Sequence, residues 1–221
     1  MTLSEPVTLL TDSLLGAWTL ALAIRLLRRN KSASAKLWAS GFLATGIGAI
    51  AGGTYHGFFN VFAPQTLAVL WKLTVYLIGI AAVLLLTGAV LATTTGLIRR
   101  LLLALGILEF LVYAAWMARH DEFRYVIYDY VPAMVLIAAL FAIAYRIDPL
   151  ASKWIVGGIA ISFAAAGVQH SGFALHRHFD HNDLYHVVQM IAMYALYRGG
   201  LRLVDRRDGH PVRAKSEALQ I

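Results

Sequence analysis

The chain has 221 residues, of which 59% are hydrophobic and 14% charged, with a formal net charge of +7. Soluble domains are about a quarter charged, so this composition excludes one and points to an integral membrane protein. Cysteine is absent, which excludes disulfides, thiolate nucleophiles and thiolate metal sites; the positive charge reads as a membrane-topology bias and not as a nucleic-acid surface.

Hydropathy and turn signals predict an all-α polytopic protein, a bundle of seven transmembrane helices forming one domain over residues 1–204, with a polar cytoplasmic tail over 205–221. The predicted spans are 6–27, 37–59, 67–92, 97–117, 125–145, 154–175 and 182–203. The start does not read as a signal peptide, because Glu5 and Asp12 stand where a basic region belongs. The tail is expected to fray. Fifteen of the 19 basic residues fall in 25–36, 99–100, 146–153 and 198–215; the other four are Lys72, Arg119, Arg124 and Arg177. The richer side belongs in the cytoplasm, which puts the N-terminus outside and the C-terminus inside.

Seven of the eight histidines then face the outer side. His56 ends the second span and His120 lies in the loop after the fourth. The hairpin between the sixth and seventh holds His170, His176, His178, His181 and His186. Acids follow the same bias. Asp12 lies one to two turns into the first span, Asp129 is at a similar depth in the fifth, Asp183 opens the seventh, and Glu109 sits near the middle of the fourth. Lys72 comes early in the third. A charge at the bilayer centre costs about 2.5–3.5 kcal/mol even on a lenient scale, so such groups should converge inside the bundle and not face lipid. Each taken alone reads as a satisfied structural pair, such as Asp12–Lys72, or as an interfacial histidine. Taken together they read as a site open to the outside.

In GGTYHGFF, Gly48, Gly52 and Gly53 make one face of the second span small, so that face packs closely and carries His56 inward. In HNDLYHVVQ, Asp183 and His186 share a helical face, while His181 fits best in the turn before the helix. Asp183 either orients His186 from behind or acts as an N-terminal helix acid, and the two roles are compatible. Three imidazoles and a water suffice for a catalytic zinc shell. His56, His181 and His186 are the first choice of ligands, with His170 in reserve. His176 and His178 read as exposed loop residues. Asp129 and Asp12 are the candidate general base and acid. Asp183, Glu109 and Lys72 are candidates to support the site from behind.

Seven spans, a histidine at the end of the second and histidines at the start of the seventh resemble the CREST superfamily, which includes alkaline ceramidases and adiponectin-receptor-like proteins. The resemblance implies a seven-helix bundle holding zinc on three histidines near the N-terminal side, and hydrolysis of an amide or ester in a membrane lipid. The chain departs from that family's pattern in three places. Gly52 stands at the serine position four before His56, no acid occurs in 60–72, and Asn182 stands where the first histidine of the last span belongs. The segments TDSLLGAW, GGTYHGF and HNDLYHVVQM also look like those of a group of bacterial membrane proteins, a likeness that implies no activity. Two other readings are open: a haem held by His56 and His186, and a proton- or cation-coupled transporter using Asp12, Glu109, Asp129 and Lys72. No inverted repeat supports the transporter. A retinal protein is excluded by the lack of lysine in the seventh span.

Overall fold

The computed structural model describes residues 3–176 and 179–207. Those residues form seven α-helices, one 3-10 turn and no strand beyond an isolated bridge between His176 and Phe179. The helices are α1 (Pro6–Arg29), α2 (Ala33–Gly57), α3 (Pro64–Thr93), α4 (Gly96–Met117), α5 (Phe123–Ile143, continued by the 3-10 turn Ala144–Arg146), α6 (Pro149–Ser171) and α7 (His181–Gly200).

Local chemistry sets these bounds. Proline opens α1, α3 and α6, where its missing N–H costs nothing. Ser32 caps α2 by accepting from Ala35 N, and Asp148 caps α6 by accepting from Leu150 N and Ala151 N. α7 begins with a reciprocal capping box between Asp180 and Asp183. α6 stops at Gly172, whose φ of 69° is the left-handed conformation that glycine adopts without strain. The sixth helix therefore runs from 149 to 171, displaced toward the N-terminus from the expected span. Asp148 and Pro149 start it sooner than hydropathy alone shows.

α2 lies between α1 and α3, α6 pairs with α7, and α7 closes back on α1, while α5 packs mainly on α3 and α6. The core holds Trp38, Phe42, Leu22, Leu26, Leu85, Met134, Ile137, Ile155, Met193 and Leu196, all essentially buried. Lipid is as apolar as leucine, so close packing holds such helices together more than water exclusion does. At the α1–α2 crossing a Cβ on Gly16 would stand 2.8 Å from Gly46 O, so the two backbones meet directly.

Four helices are long and apolar enough to cross a membrane: α1, α3, α5 with its 3-10 extension, and α6. The other three are more polar or richer in small residues, with Gly, Ala, Ser and Thr on α2, Arg99, Arg100 and Glu109 on α4, and His181–Gln189 on α7. α4 is peripheral and exposes Leu97, Ile98, Leu101, Leu105, Leu108, Leu111 and Val112 by more than half. A continuous apolar face of that kind belongs against lipid or another apolar surface. The chain is therefore an all-helical membrane protein.

The contacts define two ends. At one, Asp12 of α1 meets Gly53 of α2 and His186 of α7, and Tyr55 of α2 meets Trp71 of α3. At the other, Asn30 Nδ2 donates to Leu203 O at 2.8 Å, and the Asp205 carboxylate accepts from Ala33 N at 2.9 Å and Ser34 N at 2.7 Å. Arg206 Nη1 donates to Thr93 O at 2.6 Å, and Arg99 donates to Thr94 O and Arg206 O. Residues 205 and 206 are thus docked on α2, α3 and α4, contrary to the expectation of a frayed tail; 208–221 and His178 lie outside the described residues. Burial works against the charge on Asp205, but the Ser34 and Ala33 N–H groups outweigh it and hold that carboxyl below its ordinary range.

Candidate functional site

The polar groups at the first end centre on His186. Its Nε2 lies 3.1 Å from Asp12 Oδ1 and its Nδ1 lies 2.9 Å from Thr11 Oγ1. Thr11 Oγ1 also lies 3.2 Å from Asp183 Oδ1. Thr11, Asp12, Asp183 and His186 are all buried. The result is a chain of four groups, carboxylate, imidazole, hydroxyl and carboxylate, running from α1 to α7. Two neighbouring residues of α1 grip the same ring from both sides.

Helix geometry explains why these residues meet. Asp183 and His186 are three apart, so they stand on one face of α7. That face is turned toward α1, and Trp18 Nε1 donates to Met190 O at 3.1 Å lower on the same seam. Asp183 does both jobs the sequence leaves open. Its Oδ2 accepts from Asp180 N at 2.9 Å as part of the cap, and its Oδ1 faces Thr11. On the other side Gly53 lets α2 press against Asp12, where a Cβ would stand only 2.6 Å from Asp12 Cβ.

The proton arrangement follows from the partners. If Thr11 donates to Nδ1, His186 carries its proton on Nε2 and donates it to Asp12. If Thr11 donates to Asp183, Nδ1–H donates to Thr11, and the Asp12 contact then needs a proton on the carboxyl or a second one on the ring. Thr11 has one proton to give, and Thr8 O at 3.2 Å is a third acceptor for it, so the hydroxyl serves the imidazole or the carboxylate at any one time and not both as donor.

The expected ligands are not gathered equally. His56 is half-buried near the end of α2, with its Nδ1 3.4 Å from Glu5 Oε2 and its ring edge-on to Tyr55 at 5.5 Å. His181 is the first residue of α7. It sits about 140° around the helix from His186 at 100° per residue, which leaves the two rings on different faces. His170 is exposed at the end of α6, and His176 lies in the exposed bridge with Phe179. Among the described residues no three His, Asp or Glu side chains are already arranged as ligands of one ion.

The carboxylates also divide. Asp12 belongs to the His186 centre. Asp129 does not: it is buried on α5, and neither of its carboxyl oxygens has a hydrogen-bond partner among the described residues. Lys72 pairs with neither. Its ammonium group is 2.7 Å from Asp121 Oδ1 and donates to Met117 O and to His120 O, which fastens α3 to the α4–α5 turn. The pairing Asp12–Lys72 is therefore replaced by Asp12–His186, and Lys72 does not support the site. His120 stacks on Trp116 at 4.0 Å, with Nδ1 2.8 Å from Trp116 O. Thr11 is the residue sequence reasoning passed over. Its one signal was its place beside Asp12.

Beside His56, Tyr55, Phe59, Phe62, Leu67 and Trp71 line an open aromatic crevice between α2 and α3. Helical packing and this centre define the class: a membrane-helix bundle with a buried carboxylate–imidazole pair at one end. The family model described as a family of unknown function (DUF6962) matches residues 7–205, and the chain belongs to that family. No curated protein and no solved structure matches it.

Proposed function

We propose that this chain is a membrane-embedded hydrolase that cleaves an amide or ester bond in a lipid, with His186 at the centre of its site. One observation carries the reading: the buried 3.1 Å contact between Asp12 Oδ1 and His186 Nε2, made by residues from different helices. Amide and ester hydrolysis needs a group that takes a proton from water and returns it to the leaving amine or alcohol. A buried carboxylate and imidazole held together can hold the metal ion beside which that group works. Thr11 and Asp183 fix the ring, so the pair keeps its alignment without help from solvent. The aromatic walls of the crevice beside Tyr55 suit an acyl chain, and its charged end is formed by Lys72 and Asp121.

Zinc is the proposed cofactor. The donor chemistry fits: the 3.1 Å between Asp12 Oδ1 and His186 Nε2 is close to the spacing of about 3.3 Å between two ligands on a tetrahedral ion with bonds of about 2.0 Å. His186, Asp12 and His56 would hold it, His56 giving up its contact with Glu5. Bound zinc supplies hydroxide at neutral pH. With Asp12 so engaged and Asp183 held in the helix cap, Glu5 beside His56 is the carboxylate proposed to take and return the proton. Seven spans, with the N-terminus and this site on the non-cytoplasmic side of a bacterial inner membrane, complete the proposal, supported by the basic residues at 25–36, 99–100, 146–153 and 198–215.

The test uses purified full-length protein in detergent micelles. Metal content is measured by mass spectrometry, and hydrolysis is measured on fluorescent N-acyl and ester lipids. Zinc near one per chain, activity lost to a chelator and restored by zinc, and loss of both in His186→Ala support the reading. Hydrolysis that survives both His186→Ala and Asp12→Asn, or no hydrolysis of either lipid class by zinc-loaded protein, overturns it.

A further inference from the structure

The seam between α6 and α7 is close. A Cβ on Gly158 would stand 2.8 Å from Leu196 Cγ, and Gly199 packs on Ile155. One residue before Ile155 and Gly199 come Trp154 and Arg198, the latter in the last turn of α7, at the end opposite His186. The Arg198 guanidinium lies 4.8 Å from the centre of the Trp154 ring and 5.9 Å from that of Tyr194, and its Nη1 donates to Tyr194 Oη at 3.2 Å. Two rings and a hydroxyl, drawn from two helices, hold this exposed cation in place.

No acid side chain meets it among the described residues. Other arginines at this end are satisfied. Arg202 pairs with Asp148 at 3.2 Å, Arg99 donates to Leu91 O, Thr94 O and Arg206 O, and Arg206 donates to Thr93 O. Arg198 keeps the rest of its N–H fork open. Lys153, next to Trp154 in sequence, is exposed and adds positive charge. A cation in the last turn of a helix suits the dipole, which accounts for the charge of Arg198. It does not account for a guanidinium fixed by two rings with its donors unused. The strip of α7 leading to it is apolar. Val187, Ile191, Tyr194 and Arg198 share one helical face by their spacing, and the first three are 37%, 58% and 39% exposed. An apolar strip that ends in a fixed, unpaired cation complements an amphiphile with an anionic head.

We propose that Arg198 anchors an anionic phospholipid. The phosphate takes the open guanidinium fork, which suits it bidentately, and an acyl chain lies along Ile191 and Val187. Among the described residues the acids at this end, Asp148 and Asp205, are committed to Arg202 and to the start of α2. That leaves no carboxylate to receive the ammonium group of a zwitterionic lipid. The site stands apart from the Asp12–His186 centre and does not depend on the hydrolase reading.

The experiment titrates full-length protein in a neutral detergent with phosphatidylglycerol and measures the retained lipid by native mass spectrometry. Arg198→Gln should bind the lipid about tenfold more weakly than wild type, the loss expected when a charge-assisted pair is removed. Arg28→Gln is the control, because Arg28 is exposed in the last turn of α1 at the same end and is not part of the site; it should bind as wild type does. Phosphatidylcholine should be retained more weakly than phosphatidylglycerol, and inorganic phosphate should not displace the lipid. Wild-type retention in Arg198→Gln overturns the proposal. So does an equal loss in Arg28→Gln, which marks a diffuse basic surface, and so do equal retention of phosphatidylcholine and displacement by inorganic phosphate. Should Arg198→Gln fail to fold, Arg198→Lys decides, since it keeps the charge and loses the planar fork: weaker retention supports the proposal and unchanged retention overturns it.

Discussion

Gly53→Ala is the sharpest test of how the His186 centre is built. The added Cβ would stand 2.6 Å from Asp12 Cβ, against the roughly 3.5–4.0 Å of an ordinary carbon contact, an overlap of about 1 Å. Asp12 Cβ is fixed to the α1 backbone, so no side-chain rotation removes the clash. Either α1 and α2 separate or Asp12 leaves His186. Overpacking of this kind costs about 1–3 kcal/mol. For a chain of this size each kcal/mol lowers the melting temperature by about 2–4 °C. The assay is thermal unfolding of the detergent-solubilised protein, followed by tryptophan fluorescence. Gly157→Ala is the control, because its Cβ would meet nothing within 4 Å. A double-mutant cycle makes the argument specific. The three atoms nearest the new Cβ all belong to Asp12, so most of the penalty should vanish in an Asp12→Gly background. An equal penalty in both backgrounds would refute the proposed contact, as would Gly53→Ala melting with wild type.

Three further outcomes follow from the same contacts. Thr11→Val keeps the shape but leaves His186 Nδ1 and Asp183 Oδ1 without their hydroxyl partner; it should cost about 1–3 kcal/mol, and Thr11→Ser should restore most of it in chemical unfolding. Asp205 has a folded-state pKa below its ordinary range, so its stabilising contribution is present above the unfolded value near ~4 and lost as pH falls through the folded value. Melting curves taken across the acid range should show that loss in wild type and its absence in Asp205→Asn, while Asp205→Ala costs about 0.5–2 kcal/mol at neutral pH, as removal of a helix cap does. Finally, reporter fusions after Arg207 and within the 172–176 turn should report opposite sides of the membrane, the first cytoplasmic, and same-side signals would defeat the topology drawn from the basic residues.

Helix positions were legible because they depend on local chemistry. The expected span 97–117 and the helix Gly96–Met117 differ by one residue, and proline, serine and aspartate caps mark most other starts. Small-residue packing on α2 was legible for a similar reason: glycines at helical spacing have few other uses in a membrane, and Gly53 does bring α2 against Asp12. The pairing of ionisable groups was not legible. Depth along each span predicted that Asp12, Asp129, Lys72 and the histidines would share one end of the bundle, but depth says nothing about rotation or neighbour order.

Lys72 and Asp129 show what rotation and neighbour order decide. Lys72 had Asp12 as a plausible partner at equal depth, yet α3 presents it to the α4–α5 turn, where Asp121 and two carbonyls satisfy it. Asp12 is then left without a lysine and must find its partner on α7, the helix that closes against α1. A histidine there can be neutral or charged, so the pair is not locked as a lysine salt bridge would be. Asp129, at the same depth but on a helix whose main neighbours are α3 and α6, finds no hydrogen-bond partner among the described residues. One set of acids at one depth therefore separates into two kinds of setting. The α1–α7 seam joins an acid to a titratable base with a hydroxyl behind it. α5 instead buries an acid whose two oxygens have no hydrogen-bond partner among the described residues.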